Sequence, residues 1–416
     1  MVWLITLICA FLPAYQVRFK IVSLPMTLLE AMILICFFTW LFIKIKEIGF
    51  KKLILEKWQE FKNWRWLILA WLVLAAASIF IAPDLKAAAG VWKAYFLEPI
   101  LFLIVLNDVV KTEKEKNLVL GGLFFSALYL SLFVFYQKFF GGGVMSLEIW
   151  KEAKIWRATS LFPQPNFLGL YLGPIVVLAV GQLIFNVRKI RHSLLVISCW
   201  LLVIGLSLSA IILARSEGAL VGIFFGCLFF FLIFQKSTRK VFLISSLILV
   251  LIIFSLPFLR GPVLKKISFN DLSIQLRINI WQGAFSLLKT SPFLGVGLMG
   301  YQKLIPQYQK PYNSKTGELI SVETHPYPHN LYLTIWLELG LLGLLVFFSL
   351  IINFFVLIFK DLLFSSRPLL LGLGGAMIVL LIHGLVDTPY FKNDSSVLFW
   401  LIIGLGLIET NLRKGG

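Results

Sequence analysis

The sequence predicts an all-α integral membrane protein. Apolar residues make up 59% of the 416-residue chain and charged residues only 14%, and the mean hydropathy is +0.92. A soluble domain needs roughly 25% charged residues to cover its surface. The second observation is a series of apolar runs of membrane-spanning length. Water-soluble enzymes, disordered chains and secreted disulfide scaffolds are therefore excluded.

Twelve apolar runs approach or reach the ~20 residues that a membrane-spanning helix needs. They lie at 2–15, 21–43, 65–83, 87–106, 117–138, 166–185, 193–213, 218–234, 241–259, 331–358, 369–388 and 397–409. The first run is short and ends at Pro13, so eleven spans remain the alternative. Because no internal repeat divides the chain, residues 1–416 are predicted to form a single polytopic membrane domain.

The basic residues predict the orientation of these spans. The formal net charge is +18, and the Lys and Arg residues stand mostly in loops between apolar runs, which is typical of topology signals rather than of nucleic-acid binding. The loops on the side of both termini hold 20 Lys and Arg, against 10 in the short loops opposite. Since basic loops stay in the cytoplasm, both termini are predicted to be cytoplasmic.

One loop on the predicted outer side, residues 260–330, is too long for a simple connection and is expected to be structured. Within it, residues 272–290 place apolar side chains at helical spacing with polar residues between them. This pattern predicts an amphipathic helix that lies on the membrane surface.

Three arginines are predicted on this outer side. Arg215 stands in a charged turn between two spans, Arg277 on the amphipathic helix, and Arg157 just before the span 166–185. A charge at the middle of a membrane helix costs about 3 kcal/mol on insertion scales. Each arginine taken alone also fits a lipid-headgroup anchor, so anchoring and function both remain open.

The segment before the span 331–358 holds two of the four histidines, His325 and His329. Their spacing suits a metal on a helix, but Pro326 and Pro328 prevent a regular helix there. A histidine at this position suits general-base work or a contact to phosphate. The alternative is that His329 and Asn330 only cap the following helix.

Further polar residues are predicted near the same side of the membrane. Glu338 follows His329 by ~13 Å along its helix, and His383 and Asp387 share a helix face at i, i+4 spacing. Each of them alone also fits a structural hydrogen-bonding role.

Five groups of residues follow one another between 155 and 345. They are Arg157 with Pro165-Asn166-Phe167-Leu168-Gly169, Arg215-Ser216 with Gly218, Arg277 with Trp281, Pro292-x-x-Gly295-x-Gly297, and His329-Asn330-x-x-Leu333 with Glu338-x-Gly340-x-x-Gly343. In this order they resemble the O-antigen ligase and O-antigen polymerase family of bacterial membrane glycosyltransferases, and residues 155–345 form the core of that resemblance.

The resemblance implies a lipid-donor glycosyltransferase (GT-C-like) architecture in the bacterial inner membrane, with an extracytoplasmic active site. It implies transfer of a glycan from an undecaprenyl (polyprenyl) diphosphate carrier to the hydroxyl of a lipid- or glycan-linked acceptor, without metal or cofactor. Arg215, Arg277 and His329 become the catalytic candidates, and Arg157 joins the arginines around the diphosphate. The supporting candidates are Asn330, Trp281, Asn166, Glu338, Asp387 and His325.

The residue types suit an inverting displacement. Arginine remains protonated and makes paired charge-assisted hydrogen bonds to a leaving diphosphate, while His329 is expected to deprotonate the acceptor hydroxyl. A secondary transporter or lipid-linked glycan flippase is the alternative, although such proteins place their charges near the bilayer midplane. A zinc hydrolase that uses His325 and His329 is a third hypothesis.

Overall fold

The computed structural model describes residues 1–21, 24–141, 156–188, 194–234, 240, 244, 264, 272–313, 319–320, 324–362 and 368–414. Helices dominate this part of the chain, which confirms the all-α prediction. Two short antiparallel hairpins accompany them, β1 (Arg18–Ile21) with β2 (Leu24–Thr27), and β3 (Tyr312–Asn313) with β4 (Leu319–Ile320).

Described helices lie at eleven of the twelve predicted apolar runs, and further helices lie between these runs. They are α1 (Val2–Ala10), α2 (Leu28–Ile48), α3 (Phe50–Glu60), α4 (Arg65–Ile81), α5 (Leu85–Trp92), α6 (Glu98–Val109), α7 (Glu113–Phe140), α8 (Pro165–Arg188), α9 (Leu194–Leu213), α10 (Glu217–Phe234), α11 (Leu272–Leu288), α12 (Gly300–Leu304), α13 (Leu331–Leu362), α14 (Pro368–His383) and α15 (Asn393–Lys414). One π-helical turn, Lys93–Leu97, joins α5 to α6.

Seven of the described helices are long and apolar enough to cross a membrane, counting α5 and α6 as one, and the bent pair α3 and α4 makes an eighth span if it is counted as one. Helices α10 and α14 are apolar but shorter. The predicted span 241–259 lies outside the described residues, and α1 is only nine residues long, about 14 Å. The count of twelve spans therefore stays a prediction.

The second predicted span begins later than expected. Arg18–Ile21 and Leu24–Thr27 pair as strands β1 and β2, and α2 begins only at Leu28. A reciprocal capping box stops the helix from extending further back, because Glu30 N–H donates to the Thr27 hydroxyl at 3.2 Å while the Glu30 carboxylate accepts from Thr27 N–H at 2.8 Å. Leu24–Thr27, which hydropathy assigned to the second membrane span, therefore form a strand.

Helices α8, α10 and α14 pack at close range through glycines. A Cβ on Gly181 would lie 3.1 Å from Gly372 Cα, and one on Gly226 would lie 2.7 Å from the carbonyl oxygen of Gly375. Small residues permit such approach between apolar helices. The turn between α9 and α10 is thereby held beside the end of α14.

The longest helix, α13, is broken at Gly340, whose φ of 73° is left-handed. The loop after α11 hydrogen-bonds to the backbone at this break. Val296 N–H donates to the Leu337 carbonyl at 2.6 Å, and Leu341 N–H donates to the Phe293 carbonyl at 2.9 Å. The break frees helix backbone groups, and the loop satisfies them. The amphipathic helix α11 is thus attached to α13 through its following loop.

Candidate active site

The side chain of Arg157 is bonded to the turn between α9 and α10. Its Nε donates to the Ala214 carbonyl at 2.9 Å, and its Nη2 donates to the Arg215 carbonyl at 3.2 Å and to Asn166 Oδ1 at 2.7 Å. These bonds occupy three of the five N–H groups of the guanidinium. Arg157 therefore holds the backbone of Arg215 in place, and Asn166 fixes the guanidinium of Arg157.

Arg215 adopts a left-handed backbone conformation, with φ of 51°, which is uncommon for a residue with a side chain. Glycines on both sides make room for this turn. A Cβ on Gly169 would overlap the Ser216 hydroxyl, and one on Gly218 would lie 2.5 Å from the His383 ring. The glycines that carry the sequence resemblance thus bring Arg215 next to the end of α14.

Arg277 lies on α11 (Leu272–Leu288), within the segment 272–290 that the sequence predicts to be an amphipathic helix. Its Nη1 donates to the Ser273 hydroxyl at 2.9 Å, while its buried Nε finds no hydrogen-bond acceptor among the described residues. Burial lowers the pKa of Arg157, and the positive charges of Arg277 and Arg215 lower that pKa further. Arg157 is therefore close enough to both Arg277 and Arg215 to interact with their positive charges.

Helix α11 is tied directly to the histidine segment. The Trp281 indole N–H donates to the Pro328 carbonyl at 2.9 Å, one residue before His329. Trp281 and Arg277 stand one helical turn apart. The bond therefore fixes Arg277 relative to His329 across a gap of about fifty residues in the sequence.

His329 faces the carboxylate of Asp387. Its Nδ1 lies 3.5 Å from Asp387 Oδ1, and its backbone φ of 50° is left-handed. Asp387 is buried and follows the end of α14. Burial acts to raise the pKa of Asp387, but the hydrogen bond and charge of His329 and the nearby His383 bring that pKa below its ordinary value. Asp387 is thus suited to hold an imidazolium.

The neighbours of His329 have distinct positions. The His325 ring makes an edge contact with the His329 ring, at 4.6 Å between centroids. Asn330 caps α13, because its Oδ1 accepts from Leu333 N–H at 2.9 Å, and its amide donates to the Leu385 carbonyl at 3.0 Å. The capping alternative therefore applies to Asn330, while His329 points to Asp387.

Glu338 lies apart from this pair. Its carboxylate is fully buried and accepts a hydrogen bond from Met299 N–H, in the loop that the break in α13 also holds. Met299 has a left-handed φ of 62°. The structure thus places Glu338 where it stabilises the loop after α11.

A cavity of about 410 Å³ opens at the His329–Asp387 pair. Among the residues that line it are Arg18, Tyr95, His325, Phe391 and Lys392. Arg157, Arg215 and Arg277 are not among the residues that line this cavity. Its volume lies within the usual 300–1,000 Å³ of small-molecule sites.

Lys392 is a cavity residue that the sequence analysis treated only as a loop charge. Its ammonium is buried, lies 3.3 Å from the carboxylate of Asp394 and stands over the rings of Phe167 at 4.3 Å and Phe162 at 4.8 Å. Burial lowers the pKa of Lys392, whereas Asp394 and Asp387 oppose that shift. The sequence feature that could have identified Lys392 is its spacing of two residues from Asp394, shortly after Asp387.

Within the described ranges, no group of three His, Cys, Asp or Glu side chains is arranged to hold a metal ion. His325 and His329 stand together, and Asp387 lies beside His329. The arrangement instead combines a histidine–carboxylate pair with a nearby group of arginines.

Comparison with known proteins identifies a family match. Residues 200–348 match the family described as O-Antigen ligase, and no curated protein matches the chain. The matched range covers about a third of the sequence and includes Arg215, Arg277 and His329, whereas Arg157 and Asp387 lie outside it. The match confirms the resemblance: residues 200–348 of this multi-helix membrane protein are similar to the O-antigen ligase family.

Proposed function

We propose that the protein transfers a glycan from an undecaprenyl (polyprenyl) diphosphate carrier to an acceptor hydroxyl. The reaction is an inverting displacement that uses no metal ion or cofactor. The observation that carries the proposal is the His329–Asp387 pair beside Arg157, whose charge interacts with those of Arg277, Arg215 and Asp387. The match to the O-antigen ligase family supports a role in lipid-linked glycan transfer.

The arginines suit the leaving group of this reaction. As the bond between the anomeric carbon and the diphosphate breaks, negative charge grows on the diphosphate oxygens. Arg277 and Arg215 supply preorganised charge-assisted donors for those oxygens. The buried Nε of Arg277, which has no acceptor among the described residues, is a donor that such an oxygen would satisfy. Arg157 contributes by holding the Arg215 turn and by adding positive charge.

The histidine suits the acceptor. With Nδ1 directed at Asp387, Nε2 of His329 remains to accept the proton of the acceptor hydroxyl. The acceptor oxygen then bonds to the anomeric carbon, and the polyprenyl diphosphate leaves as an anion. Asp387 fixes the ring orientation and stabilises the imidazolium, as a carboxylate does beside a catalytic histidine.

The cellular setting is part of the same proposal. A polyprenyl donor stays in the bilayer, so its diphosphate is presented at the membrane surface, where the amphipathic α11 lies. We place this surface on the extracytoplasmic side of the bacterial inner membrane, with both termini in the cytoplasm, because the positive-inside count assigns it there.

The test is a transfer assay with the purified full-length protein and an undecaprenyl-diphosphate-linked glycan. Arg277→Ala and His329→Ala are expected to lower the rate by roughly 100-fold or more. Lys289→Ala, which removes an exposed charge just after α11, is the matched control and should retain full activity. Wild-type-level release of polyprenyl diphosphate by either site variant would refute the proposal, and transport of an intact donor would favour the flippase alternative.

A further inference from the structure

A second cavity, of about 710 Å³, opens beside the first. The two share part of their lining, namely Arg18, Val91, Tyr95 and Asn393. Because the same side chains line both, the larger cavity adjoins the one that His329 and Asp387 line. The larger cavity lies between the β1–β2 hairpin and α5.

The lining of this second cavity carries excess positive charge. It includes four cationic side chains, Arg18, Lys20, Lys86 and Lys93, but only two carboxylates, Glu30 and Asp84. We name this second cavity the cationic vestibule. Its charge decides what kind of ligand it accepts.

Both carboxylates are already engaged. Glu30 caps α2, pairs with Lys93 at 3.3 Å and accepts from Asn393 at 3.1 Å. Asp84 caps α5, where it accepts from Ala87 N–H at 3.0 Å, and lies 3.6 Å from Lys303.

Arg18, Lys20 and Lys86, by contrast, have no carboxylate within ion-pair distance in the described part of the chain. Three cations are thus left for a ligand. An anionic group would find them without having to break an existing ion pair.

The hairpin presents two of these cations together. Arg18 and Lys20 stand at alternate positions of β1, so they share one face of the strand. The partner strand pairs Thr27 with Arg18 and Pro25 with Lys20, and Thr27 is also the cap of α2. The hairpin is therefore anchored to a membrane helix, which holds the two side chains along the vestibule.

Neither cavity is lined by Arg157, Arg215 or Arg277. The His329–Asp387 pair thus lies near the arginines, and the cationic vestibule is a separate space that adjoins the cavity of this pair. We propose that the cationic vestibule binds the acceptor glycan through a phosphate or carboxylate group on that glycan. This inference rests on the proposed function, in which His329 deprotonates the acceptor hydroxyl.

Binding is tested with the full-length protein in phosphatidylcholine nanodiscs. The probes are a fluorescent trisaccharide with one phosphate monoester and its phosphatase-treated twin. We expect the phosphorylated probe to bind at least about tenfold more tightly, as one or two charge-assisted hydrogen bonds allow. The double variant Lys20→Ala/Lys86→Ala should remove this difference. Lys289→Ala/Lys310→Ala, which loses the same charge from exposed positions, should keep it.

Further arms separate this inference from the proposed function. Arg277→Ala should lose transfer yet keep the tight binding of the phosphorylated probe. If Arg277→Ala loses the binding and Lys20→Ala/Lys86→Ala keeps it, the phosphate occupies the arginine site and the vestibule assignment is overturned. If Arg277→Ala transfers normally while the lysine variant loses binding, the vestibule stands and the proposed chemistry falls.

Two more results would overturn the vestibule assignment. One is equal affinity for the phosphorylated and bare probes. The other is displacement of the phosphorylated probe when phosphatidylglycerol replaces part of the phosphatidylcholine, which would make the cavity a lipid-headgroup site. In the transfer assay, Lys20→Ala/Lys86→Ala should raise KM for an anionic acceptor about tenfold and leave kcat unchanged.

Discussion

At the scale of single residues, the candidate site is built on unusual backbone conformations. Arg215 and His329 both have positive φ, and so do Ser160 and Met299 in other loops. Such conformations cost of order 1–3 kcal/mol each and persist only where the surroundings enforce them. Here the enforcing contacts are the Arg157 hydrogen bonds at one turn and the Asn330 cap at the other. Two of the three predicted catalytic residues thus occupy strained positions.

Asp387→Asn tests the histidine–carboxylate pair through pH. The pKa of Asp387 is lower in the folded than in the unfolded chain, so its stabilising effect is complete above the unfolded value of about 3.9. The effect is lost as the pH falls through the folded pKa. We expect the wild type to exceed Asp387→Asn in unfolding free energy by on the order of 2 kcal/mol near pH 6, and by less below pH ~4.

The measurement is thermal unfolding of both proteins in detergent from pH 3 to 8. Lys289→Ala serves as the control, because its exposed ammonium should give a constant offset from the wild type over this range. A wild-type advantage that grows toward low pH would contradict the assigned pair.

At the scale of elements, the motif glycines and Glu338 explain how α11 is held. Gly340 breaks α13, and the loop of Gly295 and Gly297 fills the break. A Cβ on Gly295 would come within 2.8 Å of Gly340 N, and one on Gly297 would lie 2.6 Å from Ala82. Glu338 fastens the same loop through Met299. Gly295, Gly297, Gly340 and Glu338 therefore form a joint between the loop after α11 and the break in α13, and this joint sets the position of Arg277.

Gly340→Ala tests this joint. Alanine in a left-handed conformation costs about 1–2 kcal/mol, and its Cβ would overlap the Phe293 carbonyl oxygen. We expect lower thermal stability and a loss of transfer, because α11 and Arg277 would shift. Gly121→Ala, at an open position within α7, is the control and should be neutral or stabilising by about 0.5–1 kcal/mol. Equal stability of the two variants would argue against the joint.

At the scale of the whole molecule, the two ends of the helical bundle carry different groups of charged residues. The arginines, His329 and both cavities lie at one end, while ion pairs such as Lys116–Glu409 and Lys57–Asp108 lie at the other. The predicted outer loops come together at the first end. This grouping agrees with the alternation expected of successive membrane spans.

Cysteine labelling tests which end faces outward. In a variant with Cys199→Ser, which removes the exposed native thiol, a membrane-impermeant thiol reagent added to intact cells should label Lys289→Cys but not Lys62→Cys. Both lysines are exposed, so accessibility to the reagent depends on the side of the membrane. Labelling of Lys62→Cys alone would reverse the proposed orientation, and lysed cells serve as the control for reactivity.

Much of this molecule was determined by local sequence. Apolar runs of spanning length located every described membrane helix, because a bilayer demands internally satisfied backbone over a fixed thickness. Helical periodicity located α11 in the same way. The exception was the start of the predicted span 21–43, where Leu24–Thr27 form a strand: hydropathy does not distinguish a strand from a helix, and a capping box sets the boundary.

Tertiary packing decided what the charged residues do. Sequence spacing predicted that Arg157, Arg215, Arg277 and His329 lie on one side of the membrane. It did not show which of them contact other site residues and which anchor the chain to lipid headgroups, because each contact joins segments tens of residues apart. The pairing of His329 with Asp387, the burial of Lys392 and the unpaired cations of the vestibule all depend on which helices become neighbours. Periodicity is a local property of the chain, whereas electrostatic pairing is a property of distances that only the packed bundle sets.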